Sequence, residues 1–168
     1  GKYLHNPEFI TVSKQNLTLP QIEQVYYETR EPNKLESLCR VLDSMTVTLA
    51  IIFCRTKRGV DELVAGLQAR GYPAAALHGD LSQYQRNHVM SQFRAGRIDY
   101  LVATDVAARG LDIENVSHVI NYDVPQDPEF YVHRIGRTGR AGKSGVAVTL
   151  VSPRDYRQLR LIEDLTKT

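Results

Sequence analysis

A chain of 168 residues, 42% hydrophobic and 24% charged, has the size of one ordinary domain and a composition that excludes disordered and fibrous classes. It is long enough to bury a core without metal or disulfide staples. A net charge of +2 excludes a global basic field, so a nucleic-acid partner would have to meet a local patch.

Residues 1–20 open as "GKYLHNPEF", without a methionine, and fit no regular period. They read as a lead-in from a preceding segment, and the chain as a piece of something longer, with one domain over 21–168. No signal-peptide pattern opens the chain and no apolar run approaches 18 residues, so the expectation is a cytoplasmic protein with no membrane partner. From Gln21 onward two periods alternate. "IEQVYYE" alternates like a strand, and "NKLESLCRVLDS" puts Leu35, Leu38, Cys39 and Leu42 at helical spacing. "TLAIIFC" is a continuous apolar run, the mark of a strand buried on both faces. "GVDELVAGLQARG" follows with Val60, Leu63, Val64 and Leu67 on one stripe and Gly71 as its stop.

Then come strand "AAAL", helix 82–95, strands "YLVAT" and "HVINY", a helix from Pro128 to about Ile135, and strand "GVAVTLV". Ser152-Pro153-Arg154-Asp155 sets a cap, a first-turn proline and a third-position acid at the start of the last helix. This alternation predicts a three-layer α/β domain, a mostly parallel central sheet with helices on both faces. Ligands of such folds sit beyond the carboxyl ends of the strands. The polar clusters all follow strand ends: Arg55 to Arg58, His78 to Asp80, Thr104-Asp105 and Arg109 to Asp112. All belong on one rim. Cys39 and Cys54 fall in apolar runs without zinc-like spacing, and read as core thiols of a reduced compartment; no metal site is expected.

"HRIGRTGRAGKSG" (133–145) ends like the tail of a phosphate-binding loop. A Walker loop needs glycine five places before its Gly-Lys-Ser and a helix after it. Five places before Gly142 stands Arg137, and "GVAVTLV" is a strand. No Asp-Glu-x-Asp is present to hold magnesium, so Gly142-Lys143-Ser144 reads as a turn. Arg134, Arg137 and Arg140 stand three apart among glycines. One reading is a solvated helix end whose cations complement the dipole. The other is arginines presented to a phosphate held by something else, since glycine permits close approach and guanidinium is a fixed, planar fork.

"IIFCRTK" (51–57), "LHGDLSQYQR" (77–86), "ATDVAARGLD" (103–112), "YDVP" (122–125) and "HRIGRTGR" (133–140), in that order, resemble the motifs of DEAD-box RNA helicases of bacterial type. The likeness is to the second RecA-like core domain, covers about residues 20–165, and leaves out the first domain with its phosphate loop and Asp-Glu-Ala-Asp box. "HNPEFITVS" resembles the joining segment. The resemblance implies half of an ATP-dependent RNA helicase, with ATP and Mg2+ held mainly by the absent N-terminal domain and none bound stably by this half alone.

By that resemblance Arg137 and Arg140 are catalytic arginine fingers on the ATP phosphates, and Asp112 accepts a bond from the ribose. His133 and Arg109 meet the first domain, whereas Arg134 either joins them or pairs with a carboxylate inside the domain. Thr56, the Gly59 amide, Arg86 and Thr104 hold the RNA backbone without reading bases. Gln83 orients Arg86 or the local backbone. The readings left beside this one are a DNA-directed motor of the same superfamily and a stand-alone RNA- or protein-binding module.

Overall fold

The computed structural model describes residues 22–109, 113, 116–139 and 144–166. The elements run β1 (Ile22–Glu28), α1 (Lys34–Ser44), β2 (Ala50–Phe53), α2 (Lys57–Ala69), β3 (Ala74–Leu77), α3 (Gln83–Arg94), β4 (Tyr100–Ala103), α4 (Asp105–Arg109), β5 (His118–Asn121), α5 (Pro128–Ile135), β6 (Gly145–Val151) and α6 (Tyr156–Thr166). Short 3-10 turns, Glu31–Asn33 and Pro153–Asp155, lead into α1 and α6. The six strands form one sheet in the order β1-β6-β5-β2-β4-β3, with every pair parallel.

Period-two alternation sorts the core into two layers. Ile51 and Phe53 of β2 face α3, α4, α5 and α6, packing with Phe93, Ala107, Ile135 and Ile162. Ala50, Ile52 and Cys54 face α1 and α2, packing with Leu38, Val60 and Leu67. β2, β4 and β5 are buried along their whole length, which is why they read as continuous apolar runs. Both cysteines are buried free thiols, and burial pushes the Cys54 thiol far up, into its neutral form. No described helix is long and apolar enough to cross a membrane.

Several boundaries differ from the sequence reading for local reasons. α2 starts at Lys57 rather than Gly59, because the Thr56 hydroxyl caps it by accepting from the Gly59 amide at 2.9 Å. The strand expected from Thr48 begins at Ala50, since the Thr48 amide donates to the Ser117 hydroxyl instead of a neighbouring strand. α4 was not anticipated; five residues are too few to display a helical period. The Ser152 and Asp155 box is present and opens a 3-10 turn before α6.

Register lines up the strand ends. Phe53 pairs with Ala103, and Ala103 with Leu77, so the segments after β2, β4 and β3 emerge on one rim. The connection from β2 departs to the α1–α2 layer, whereas those from its neighbours β4 and β5 enter the opposite layer. The divergence opens a crevice at the carboxyl end of β2.

Candidate functional site

Arg134, on α5, is 2% exposed and organises the crevice. Its Nε and Nη2 donate to the two carboxylate oxygens of Asp105, each at 2.7 Å. Its Nη1 donates to Asn121 Oδ1 at 3.1 Å and to the Asp123 carbonyl at 2.9 Å, and the guanidinium lies 5.0 Å from the Phe53 ring centre. A bidentate pair with further bonds on the same fork is the geometry that compensates burial of an ion pair. Arg134 therefore pairs inside the domain and locks α4 and the end of β5 against α5.

Around this buried clamp lies an open cleft of about 90 Å³, lined by Phe53, Asp105, Ala108, Arg109, Phe130, His133, Arg134 and Arg137. Arg137 follows α5 and donates from Nη2 to the Ala108 carbonyl at 3.1 Å and from Nη1 to the Ile113 carbonyl at 3.3 Å. Its charge sits against the unsatisfied carbonyl end of α4, a favourable place for a cation. The Arg109 guanidinium covers the Phe130 ring at 5.4 Å, within cation–π range, and His133 is exposed on α5. Arg137, Arg109 and His133 thus line one cleft, whereas Asp112 and Arg140 lie outside the described residues. Asp105 is the one carboxylate among the described residues that line the cleft, and Arg134 pairs with it.

The loop beyond Arg137 is built tightly. Gly139 has φ +70°, a conformation other residues rarely adopt. A Cβ at Gly145, the first residue of β6, would collide with the Thr138 side chain and the Gly139 amide. The Thr138 hydroxyl donates to the Val116 carbonyl, and Val116 and Thr138 form an isolated parallel bridge. The segment carrying the arginines is therefore pinned to the β5 side and to β6.

The residues assigned to RNA lie on the other part of the rim. The Thr56 hydroxyl and the Gly59 amide are bonded to each other, and the buried Thr104 hydroxyl accepts from the Ala107 amide at 3.3 Å, capping α4. Arg86, in the first turns of α3, is half-buried. Its Nε is the one buried side-chain nitrogen or oxygen among the described residues with no hydrogen-bond partner, a condition that costs about 1–3 kcal/mol when nothing fills it. Gln83 bonds to Asn87 at 2.9 Å rather than to Arg86. Behind the rim, Asp123 binds Lys34 at 2.7 Å and the Arg55 amide at 2.8 Å. Burial would raise its carboxyl, but the Lys34 ammonium and the amide outweigh that and hold it below the usual carboxylate range.

Sequence reasoning passed over Phe53, Asn121 and Asp123, which build the site from beneath. Asp105 was visible in the polar cluster Thr104-Asp105, but nothing in the spacing linked it to an arginine 29 residues away. Among the described residues no group of three or more His, Cys, Asp or Glu could hold a metal ion.

Residues 33–142 match the family model for the helicase conserved C-terminal domain. Over 99% of its length the chain is 55% identical to the DEAD-box ATP-dependent RNA helicase CshA of Geobacillus kaustophilus, and 53% identical to that of Bacillus subtilis. The chain belongs to the DEAD-box helicases, as a C-terminal RecA-like domain. It spans about a third of those two relatives, 36% and 34% of their lengths. Among solved DEAD-box structures, one from the hyperthermophile Methanococcus jannaschii superposes with a TM-score of 0.80 at 45% identity, over 91% of this chain and 41% of that one. Escherichia coli SrmB, solved bound to the regulator of ribonuclease activity A, gives 0.78 at 39% identity, over 86% and 84%. Saccharomyces cerevisiae Dbp5, solved with RNA and ADP BeF3, gives 0.77 at 37%, over 88% of this DEAD-box domain and 39% of that chain.

Proposed function

We propose that this domain is the half of an ATP-dependent RNA helicase that supplies cations to a nucleotide held by a preceding RecA-like domain, while its rim holds the RNA backbone. The observation that carries the reading is the neutralised cleft. Arg134 cancels Asp105, so among the described residues Arg137, Arg109 and His133 face an incoming phosphate with the cleft's carboxylate already paired. Closure of the two domains brings Arg137 and Arg140 to the outer phosphates, where their charge offsets charge developing in phosphoryl transfer. Arg137 then exchanges two carbonyl acceptors for a phosphate, a stronger charge-assisted partner. Asp112 accepts a ribose hydroxyl, and Arg109 and His133 meet the first domain. Mg2+ belongs with the phosphate loop of that domain. Thr56, Gly59, Arg86 and Thr104 follow neighbouring strand ends, β2 and β4 with α3 after β3, and hold one strand without reading its bases. Work on cellular RNA puts the protein in the cytoplasm.

The test is Arg140→Ala and Arg137→Ala in the intact protein. Each should lower ATP turnover by roughly 10³–10⁵ while ATP affinity changes far less, because fingers act mainly on the transition state. Lysine at either place should rescue only partly, since a point charge does not reproduce a planar fork. Wild-type turnover in both alanine variants would overturn the reading.

A further inference from the structure

The chain carries 19 aspartates and glutamates, yet none lies between Leu81 and Ile98. That stretch contains Arg86, His88, Arg94 and Arg97, and most of it is α3. The last acid before it, Asp80, is bonded to Lys57 at 2.9 Å. The outward side of α3 is thus amides and cations around a single aromatic ring. That ring is Tyr84, 80% exposed, the most exposed large hydrophobic side chain among the described residues.

A lone exposed ring is ordinary. The surroundings of Tyr84 are not. Ser82 and Gln85 form a complete capping box around the first turn, and Gln83 bonds to Asn87, so the ring projects from a fixed helical backbone rather than a loop. Two positions along stands Arg86 with its unpartnered Nε. The order β2-β4-β3 puts the Thr56 loop, Thr104 and the start of α3 after three neighbouring strands, spaced about 4.8 Å apart. The row of backbone-holding groups therefore ends at the β3 edge of the sheet, where Tyr84 stands clear.

We propose that Tyr84 is a stacking platform for a nucleobase of the bound RNA, on an acid-free face of α3 that continues the backbone track beyond Arg86. The inference rests on the RNA reading of that track and adds to it a contact with a base. Every base has a π-face, so such a platform binds any sequence while favouring bases that stack strongly. It needs no charge on the tyrosine; the surrounding arginines draw the strand in, and the ring holds one base.

The experiment measures binding of fluorescent single-stranded RNA to the chain by anisotropy across a salt series, for wild type, Tyr84→Ala, Tyr84→Trp and Arg86→Ala. Tyr84→Ala should weaken binding about fivefold to a hundredfold without changing the slope against salt, and Tyr84→Trp should restore it. With an oligonucleotide abasic at every position, wild type and Tyr84→Ala should bind alike. Arg86→Ala should flatten the salt slope on both RNAs. If Tyr84→Ala binds like wild type while Arg86→Ala is impaired, the platform is refuted and the RNA track stands; the ring then faces a protein or nothing. If Tyr84→Ala weakens abasic RNA equally, the contact is not stacking and the proposal fails. If neither variant changes binding, the RNA reading itself falls.

Discussion

Arg134 and Arg137 are three residues apart, one on α5 and one just beyond it, and differ in burial and partners. The four hydrogen bonds of Arg134 are interior, so its removal strands the Asp105 carboxylate and the Asn121 amide without a cation. Arg134→Ala should cost about 3–5 kcal/mol of folding free energy, the range for breaking a buried pair from one side, read as a fall in denaturant midpoint. Arg137 donates to the Ala108 and Ile113 carbonyls at the open cleft, and its removal leaves no buried carboxylate unpaired there, so Arg137→Ala should lower that midpoint far less than Arg134→Ala. An equal loss of stability in the two variants would contradict this division. Lys143→Ala should leave ATP affinity unchanged, because the Gly-Lys-Ser it belongs to ends no Walker loop. The arginines were visible in the sequence as a row three apart with glycines between them. The sequence left Arg134 open between the cleft and an internal carboxylate; which acid it takes was hidden, because Asp105 stands 29 residues earlier, on α4.

Three elements meet at Asp123, which draws Lys34 of α1 and the chain leaving β2 toward the end of β5. Its carboxyl is held below the ordinary value, so the stabilisation is complete above the unfolded pKa, near 4, and is lost as pH falls through the lower folded value. Lys34→Met should therefore destabilise the domain by about 3 kcal/mol at neutral pH, with the gap to wild type narrowing only below about pH 4. Denaturant titrations from pH 3 to 7 check both halves of the statement. At this scale the sequence was most readable where burial is two-sided: β2, β4 and β5 announce themselves as apolar runs. It was least readable at α4, which exists because Thr104 caps it, Arg134 holds its first residue, Asp105, and Arg137 holds its far end, contacts that no local period encodes.

For the molecule as a whole, the cleft offers cations but no described phosphate loop, so the chain alone should show no RNA-stimulated ATP hydrolysis above a contaminant control. Its binding to single-stranded RNA should be weak and should fall with salt by about 0.7 per phosphate contact on logarithmic axes. Nanomolar, salt-insensitive binding to one sequence would contradict this and point to a base-reading surface. The layered fold and its rim followed from alternating periods; that the sheet is wholly parallel, with β1 beside β6, did not, since strand order leaves no local trace. That neighbourhood has a consequence for synthesis. Ile22 pairs with Gly145 and Glu28 with Val151, so β1 emerges from the ribosome roughly 120 residues before β6, its one partner among the described strands; at about 5–20 residues per second it waits on the order of 6–25 s. Through that interval Val25, Tyr26 and Tyr27 form an unpaired edge on the nascent chain, a natural place for a holding chaperone to bind.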